Sequence, residues 1–149
     1  MTNVYEYRFT RHKVAELTET IRTPRDVEPI ARAMLANRDT EALVVICMNV
    51  RNGVIGTEMA YTGNVSSTLV RIGELFRMAV RINAAGIVLA HNHPSGDPSP
   101  SPDDLHLTAE AIAAGHLLDI DVLDHLVLSD DSYVSLRDRG IAFDRRPKV

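Results

Sequence analysis

His91 and His93 stand one residue apart at the end of an apolar run, and Asp104 follows in the next element of the chain. Imidazole is the commonest ligand for zinc, which takes four tetrahedral positions. In an extended strand, alternate residues point to one side, so His91 and His93 can converge on a single ion while Asn92 points away. Asp104 would supply a third ligand. Three protein ligands leave the fourth position to water, the mark of a catalytic zinc site rather than a closed structural one. The same stretch also has a plainer reading. Ser101-Pro102-Asp103-Asp104 is a sound helix start, with Ser as N-cap, Pro at the first helical position and two acids facing the positive end of the dipole. On that reading Asp104 only caps, although a carboxylate has two oxygens and can do both.

Hydrolysis at such a centre also needs a carboxylate to move the proton of the attacking water. Glu41, Glu58 and Glu74 lie upstream. Glu41 directly precedes an apolar run, Glu58 falls on an expected return strand and Glu74 on an expected helix. Among the other histidines, His106 lies about 200° around the helix from Asp104 and should face elsewhere. His125, next to Asp124, either borders the site or packs under the sheet. His12 and His116 read as surface or boundary residues.

The elements that must position these groups are legible from pattern. Gly86–Ala90 is apolar and rich in Ile and Val, hence a buried strand, ended at Pro94, which has no N–H to give. A helix is expected from Pro102 to about Leu118, with Leu105, Ala109 and Ile112 facing the core and Asp104, Thr108 and Ala111 on a neighbouring stripe. Leu43–Met48 is continuously apolar, a strand buried on both faces. Asn52-Gly53 then signals a hairpin, so Val54–Tyr61 should return antiparallel. A helix opens at Thr23-Pro24 and runs to about Asn37, with Val27, Ile30, Ala31 and Met34 on one stripe. Another spans Leu69 to Asn83, with Leu69, Ile72, Phe76, Ala79 and Val80 on its inner face. Strands at Ile120–Leu128 and Ser132–Leu136 close the list, and Val4–Phe9 alternates as an edge strand would.

The chain has 149 residues, 45% hydrophobic and 24% charged, which suits one soluble domain with a real core. It shows no long apolar run and no signal-peptide pattern at its start, so a cytoplasmic protein with no membrane partner is expected. Its one cysteine, Cys47, sits in an apolar run and should pack in the core. The net charge of −4 argues against DNA as the main partner, since non-specific duplex binding relies on basic patches. The basic tail from Arg145 to Val149 is expected to be solvated.

The motif resembles a known one. His91, His93, Pro94, Ser101 and Asp104 match the JAMM pattern of the JAB/MPN metalloprotease superfamily without a gap. His91-Asn92-His93-Pro94-Ser95-Gly96-Asp97-Pro98, Leu123-Asp124-His125-Leu126 and Tyr133-Val134-Ser135-Leu136-Arg137 resemble its RadC branch. The resemblance covers roughly residues 23–140, leaving 1–22 as an extension and 141–149 as a tail, and reads as a stand-alone JAB domain. It implies an α/β (α+β) fold: a three-layer JAB/MPN (cytidine-deaminase-like) domain with a mixed sheet flanked by helices. It implies a zinc peptidase or isopeptidase, with His91, His93 and Asp104 on the metal, Glu41 as base and Ser101 donating to the oxyanion. The last role would compete with capping for one hydroxyl. The substrate would be a protein or peptide, a ubiquitin-like one included. The chain also departs from the family pattern. Ile72-Gly73-Glu74 stands where RadC relatives have Pro-Arg-Glu, and no Gly-rich helix-hairpin-helix segment precedes Glu41. The resemblance assigns no role to Asp124, His125 or Glu74. Two rival functions come from other classes, a DNA-repair or mobile-element accessory factor acting on or near nucleic acid and a non-catalytic protein-binding MPN module. Oligomeric state is not legible.

Overall fold

The computed structural model describes residues 1–11, 21–65 and 69–143. His12 and the basic tail lie outside them. The order is α1 (Pro24–Leu35), β1 (Ala42–Met48), β2 (Val54–Thr62), α2 (Ile72–Arg81), β3 (Gly86–Asn92), α3 (Pro102–Leu118), β4 (Asp121–Leu128) and β5 (Tyr133–Ser135). The strands form one mixed sheet in the order β2-β1-β3-β4-β5, in which only β3 and β4 run parallel. A parallel pair needs a long crossover, and α3 provides it.

β1 and β3 are buried along their whole lengths because helices cover both faces of the sheet. Alternation then sorts their residues. Val44, Ile46, Val88 and Ala90 pack against Val27, Ala31 and Leu35 of α1. Leu43, Val45, Ile87 and Leu89 pack against Leu75, Phe76 and Ala79 of α2 and Leu107 and Ala111 of α3. The result is the expected three-layer mixed α/β domain. Cys47 lies in the second cluster, where burial and then the charge of Glu58 push its thiol up to about 11.

One irregularity decides which face His125 takes. Along β3 and β4, Ile87 pairs with Val122 but Val88 pairs with Asp124, so Leu123 is an extra residue in β4. Such a bulge reverses the alternation beyond it. From there on His125 sits opposite Leu89 and shares its face. Without the extra residue, His125 would fall on the α1 side.

α3 approaches the sheet closely. A Cβ on Gly115 would come within 2.4 Å of the Ile120 carbonyl oxygen, so no larger residue fits where the helix turns into β4. The buried stripe of α3 is Asp104, Leu107, Thr108, Ala111 and Gly115. That corrects the expected inner face, since Ala109 is exposed and Leu105 and Ile112 are only half-buried. The polar stripe and the core stripe are one, because α3 lies with its site-bearing side down. α2 likewise turns Leu75, Phe76 and Ala79 inward, whereas Leu69 and Val80 are exposed, and it begins three residues later than expected. In the β1–β2 hairpin, Asn52 (φ 58°) takes the left-handed backbone position rather than Gly53. Val4–Phe9 forms no strand: Val4, Tyr5, Tyr7 and Phe9 are all exposed and without a ladder partner. Alternation is a local pattern, and a strand also needs a neighbour.

Candidate metal centre

β3 brings His91 and His93 to its α3 face, and the first turn of α3 lays Asp104 against them. His91 Nε2 is 3.0 Å from His93 Nε2 and 3.2 Å from Asp104 Oδ1, and His93 Nε2 is 3.2 Å from Asp104 Oδ2. One donor atom from each of the three lies within 4.8 Å of the others. Tetrahedral ligands about 2.0–2.1 Å from a zinc ion stand about 3.3 Å apart, which the His91–His93 and His91–Asp104 Oδ1 separations match, while the contact of His93 is to the other carboxylate oxygen. His91 and Asp104 are buried and His93 is at the lip.

Each imidazole is held from behind. His93 Nδ1 lies 2.9 Å from the Asp97 carbonyl, which can only accept, so this nitrogen carries the hydrogen and leaves Nε2 bare. Its backbone N–H reaches the Leu128 carbonyl at 2.7 Å, extending the ladder past Asn92. His91 Nδ1 lies 2.7 Å from His125 Nε2. Three acceptors facing one point repel one another unless a positive charge sits among them. The side chains register that demand. Burial alone would raise the Asp104 pKa, but hydrogen bonds from His91 and His93, made when a proton on Nε2 stands in for that positive charge, and from the Ser101 backbone N–H hold it well below the usual carboxylate range. Hydrogen bonding to Asp104 raises His93, against a smaller opposing effect of burial, and Glu41 adds to the rise. Complete burial, with the neighbouring His91 next in effect, keeps His125 well below the ordinary histidine range and therefore neutral.

Capping and metal-facing geometry coexist in Asp104. Its Oδ2 accepts from the Ser101 backbone N–H at 2.7 Å, and its own N–H donates to Ser101 Oγ at 3.1 Å, a complete capping box. Oδ1 takes no part in that box. The cap also uses a lone pair of Ser101 Oγ and not its hydrogen, so capping and donation to a substrate do not compete, contrary to the sequence-based expectation.

Glu41 stands at the mouth of β1. Its Oε2 accepts from the Val65 N–H at 2.8 Å, and its carbonyl accepts from Gly63 at 2.8 Å. A cleft of about 350 Å³ brings Glu41 together with His93, Ser101, Asp104 and Asn64. Glu58 instead pairs with Arg77 of α2, and neither it nor Glu74 lines this cleft. Asn92 does point away from the histidines, and it has work there: its Oδ1 accepts from Ala42 N at 2.8 Å and its Nδ2 donates to Thr40 O at 3.0 Å. Those two bonds bracket Glu41. A second hollow of about 320 Å³ reaches His93 and Pro94 from the α1 side.

Residues 21–141 match a family model described as the RadC-like JAB domain. The chain belongs to this family. Similar proteins agree. A UPF0758 protein of Roseiflexus castenholzii is 47% identical over 123 residues, which is 83% of this chain and 53% of that protein. One from Chloroflexus aggregans is 44% identical over 124 residues, 83% of this chain and 54% of that one. One from Clostridium perfringens is 39% identical over 134 residues, 89% and 59%. The chain thus spans a little over half the length of these curated relatives. No helix among the described residues of this JAB domain is long and apolar enough to cross a membrane.

Two partnerships in this JAB domain go beyond the sequence reading, which left His125 either bordering the site or under the sheet and placed Thr108 only on the stripe of Asp104. His106 faces out to Glu110 and His116 is exposed, as expected, but His125 lies directly behind His91 and Thr108 behind His125. Thr108 carries one available signal, since it stands four residues after Asp104 and so on the same helical stripe. The bulge that turns His125 towards the site carries none. Asp124, by contrast, accepts from His125 N, Arg137 N and the Ser135 hydroxyl, and ties β4 to β5 away from the metal-facing atoms.

Proposed function

We propose that this domain is a zinc-dependent metallohydrolase that cleaves peptide or isopeptide bonds. His91, His93 and Asp104 would hold the metal. When bound, zinc lowers the pKa of a coordinated water from about 15.7 to about 7 and polarises the scissile carbonyl. Glu41, anchored by Val65 N and bracketed by Asn92, takes the proton released as the water oxygen bonds to the carbonyl carbon. It returns that proton to the nitrogen as the C–N bond breaks. The Ser101 hydroxyl donates to the oxyanion, a contact whose loss costs about 10²–10³ in rate in other enzymes. The substrate is an extended protein segment, a ubiquitin-like tail among the forms it could take. The hollows on either side of His93 and Pro94 offer it room in both directions.

The observation that carries this reading is the meeting of two imidazole nitrogens and a carboxylate, 3.0–3.2 Å apart, on a cleft that also holds Glu41 and Ser101. Metal analysis after zinc reconstitution tests it, with His91→Ala as control. One zinc per wild-type chain, absent from the variant, and peptide hydrolysis abolished by chelator and restored by zinc are expected. A wild type that retains no zinc ends the metal assignment. A zinc-loaded protein inert towards peptide and isopeptide libraries ends the catalytic one.

A further inference from the structure

Thr108, His125 and His91 form a chain of buried polar groups, each fully enclosed. Its direction can be worked out from one end. The Thr108 hydroxyl has a single hydrogen and two partners, the Asp104 carbonyl at 2.7 Å and His125 Nδ1 at 2.6 Å. A carbonyl only accepts, so the hydrogen goes there. His125 Nδ1 must then bring its own hydrogen to the hydroxyl lone pair. A neutral imidazole carries one N–H, which leaves His125 Nε2 an acceptor. Its partner at 2.7 Å, His91 Nδ1, therefore donates. His91 is left with a bare Nε2, the atom facing Asp104 and His93.

We propose that His125 and Thr108 are positioning residues that lock His91 in the tautomer able to bind a divalent cation, and that they set the affinity of the site for it. The inference rests on the assignment of His91, His93 and Asp104 as metal ligands. Its physical content is that a hydroxyl two residues removed from the metal position decides where the His91 proton sits. The circuit also closes on itself, because the carbonyl that orients it belongs to Asp104, whose carboxylate faces the same point. Burying three polar side chains costs free energy that apolar residues of like shape would not. Packing alone does not account for a chain in which every link is satisfied in one direction. Groups that orient ligating histidines in this way commonly change metal affinity by about 10–100-fold when removed.

Thr108→Val replaces the hydroxyl by a methyl of like size, whereas Thr108→Ser keeps it. In the metal-free full chain at about pH 8.5, above the ordinary histidine range, long-range ¹⁵N–¹H correlation spectra should show His91 and His125 both carrying the proton on Nδ1. Thr108→Val should lose that preference at His91 and bind zinc about 10–100-fold more weakly in competition with a chromophoric chelator. Thr108→Ser should keep both the spectrum and the affinity. A wild-type His91 protonated on Nε2 overturns the proposal, and this holds even if Thr108→Val fails to fold. So does a folded Thr108→Val protein with wild-type zinc affinity. A wild type that binds no zinc at all defeats the metal assignment instead, and the tautomer spectra tell the two failures apart.

Discussion

On the α1 side of the sheet the buried layer from Val27 to Leu128 is mostly apolar, its polar members Asn92 and Asp124 tying neighbouring segments together, while the α3 side is apolar at one end and gives way to His91, Asp104, Thr108 and His125 at the other. Both sides are equally closed to water. Apolar side chains gain about 1.5–3 kcal/mol each from burial, whereas a buried polar group gains only about 0.5–1.5 kcal/mol for each bond it makes and loses about 1–3 for one left unmade. The α1 side is therefore arranged for stability. The α3 side gives up some of that stability to hold a charge-hungry centre in a fixed geometry. Asn92 joins the two: it lies on β3 between the histidines, yet its side chain works on the opposite face to fasten the strand that carries Glu41.

Substitutions on the two sides should separate along the same line. Glu41→Gln removes the base and leaves the three metal-facing side chains intact. It should lower kcat by about 10²–10⁴ with zinc content unchanged, measured on a peptide that the wild type cleaves. Leu126→Ala, on the α1 side, should cost about 2–5 kcal/mol in denaturant unfolding while the folded fraction keeps its zinc affinity. If zinc is lost in proportion, the two sides are not independent. Asn92→Ala crosses the divide. It removes two bonds that flank Glu41, each worth about 1 kcal/mol, and should reduce turnover more than it reduces zinc affinity. The smallest effect is one of pH. Burial raises the Asp124 pKa, against the bonds from Ser135, Arg137 and His125. The folded state thus holds that proton more tightly than the unfolded chain does. The stabilisation is full below about pH 4 and is lost as pH rises through the higher folded value. Asp124→Asn should flatten this part of the curve of unfolding free energy against pH.

Much of this contrast is legible in the sequence, and the parts that are not have physical reasons. The meeting of His91, His93 and Asp104, the buried strands and the N-terminus of α3 come from residue type and short spacing, which local geometry enforces. The presence of Glu41 on the cleft agrees with its place before an apolar run, while the role of base comes from the resemblance alone. The inner face of α2 departs from its expected residues because Leu69 and Val80 fit the spacing but lie about half exposed. Ala109 is misplaced by pattern because periodicity fixes the width of a stripe and not which stripe meets the sheet. The partnership of His125 with His91 depends on pairing between strands far apart in the chain, and the inserted Leu123 reverses the alternation on which any face assignment would rely.

That inserted residue makes strand length a determinant of chemistry. Leu123 touches no metal-facing atom, yet removing it would shift the phase of the rest of β4 and carry the imidazole of His125 through the sheet to the oily side. One lost codon at a position with no chemical role would thus unwire His91 as surely as replacing His125 itself.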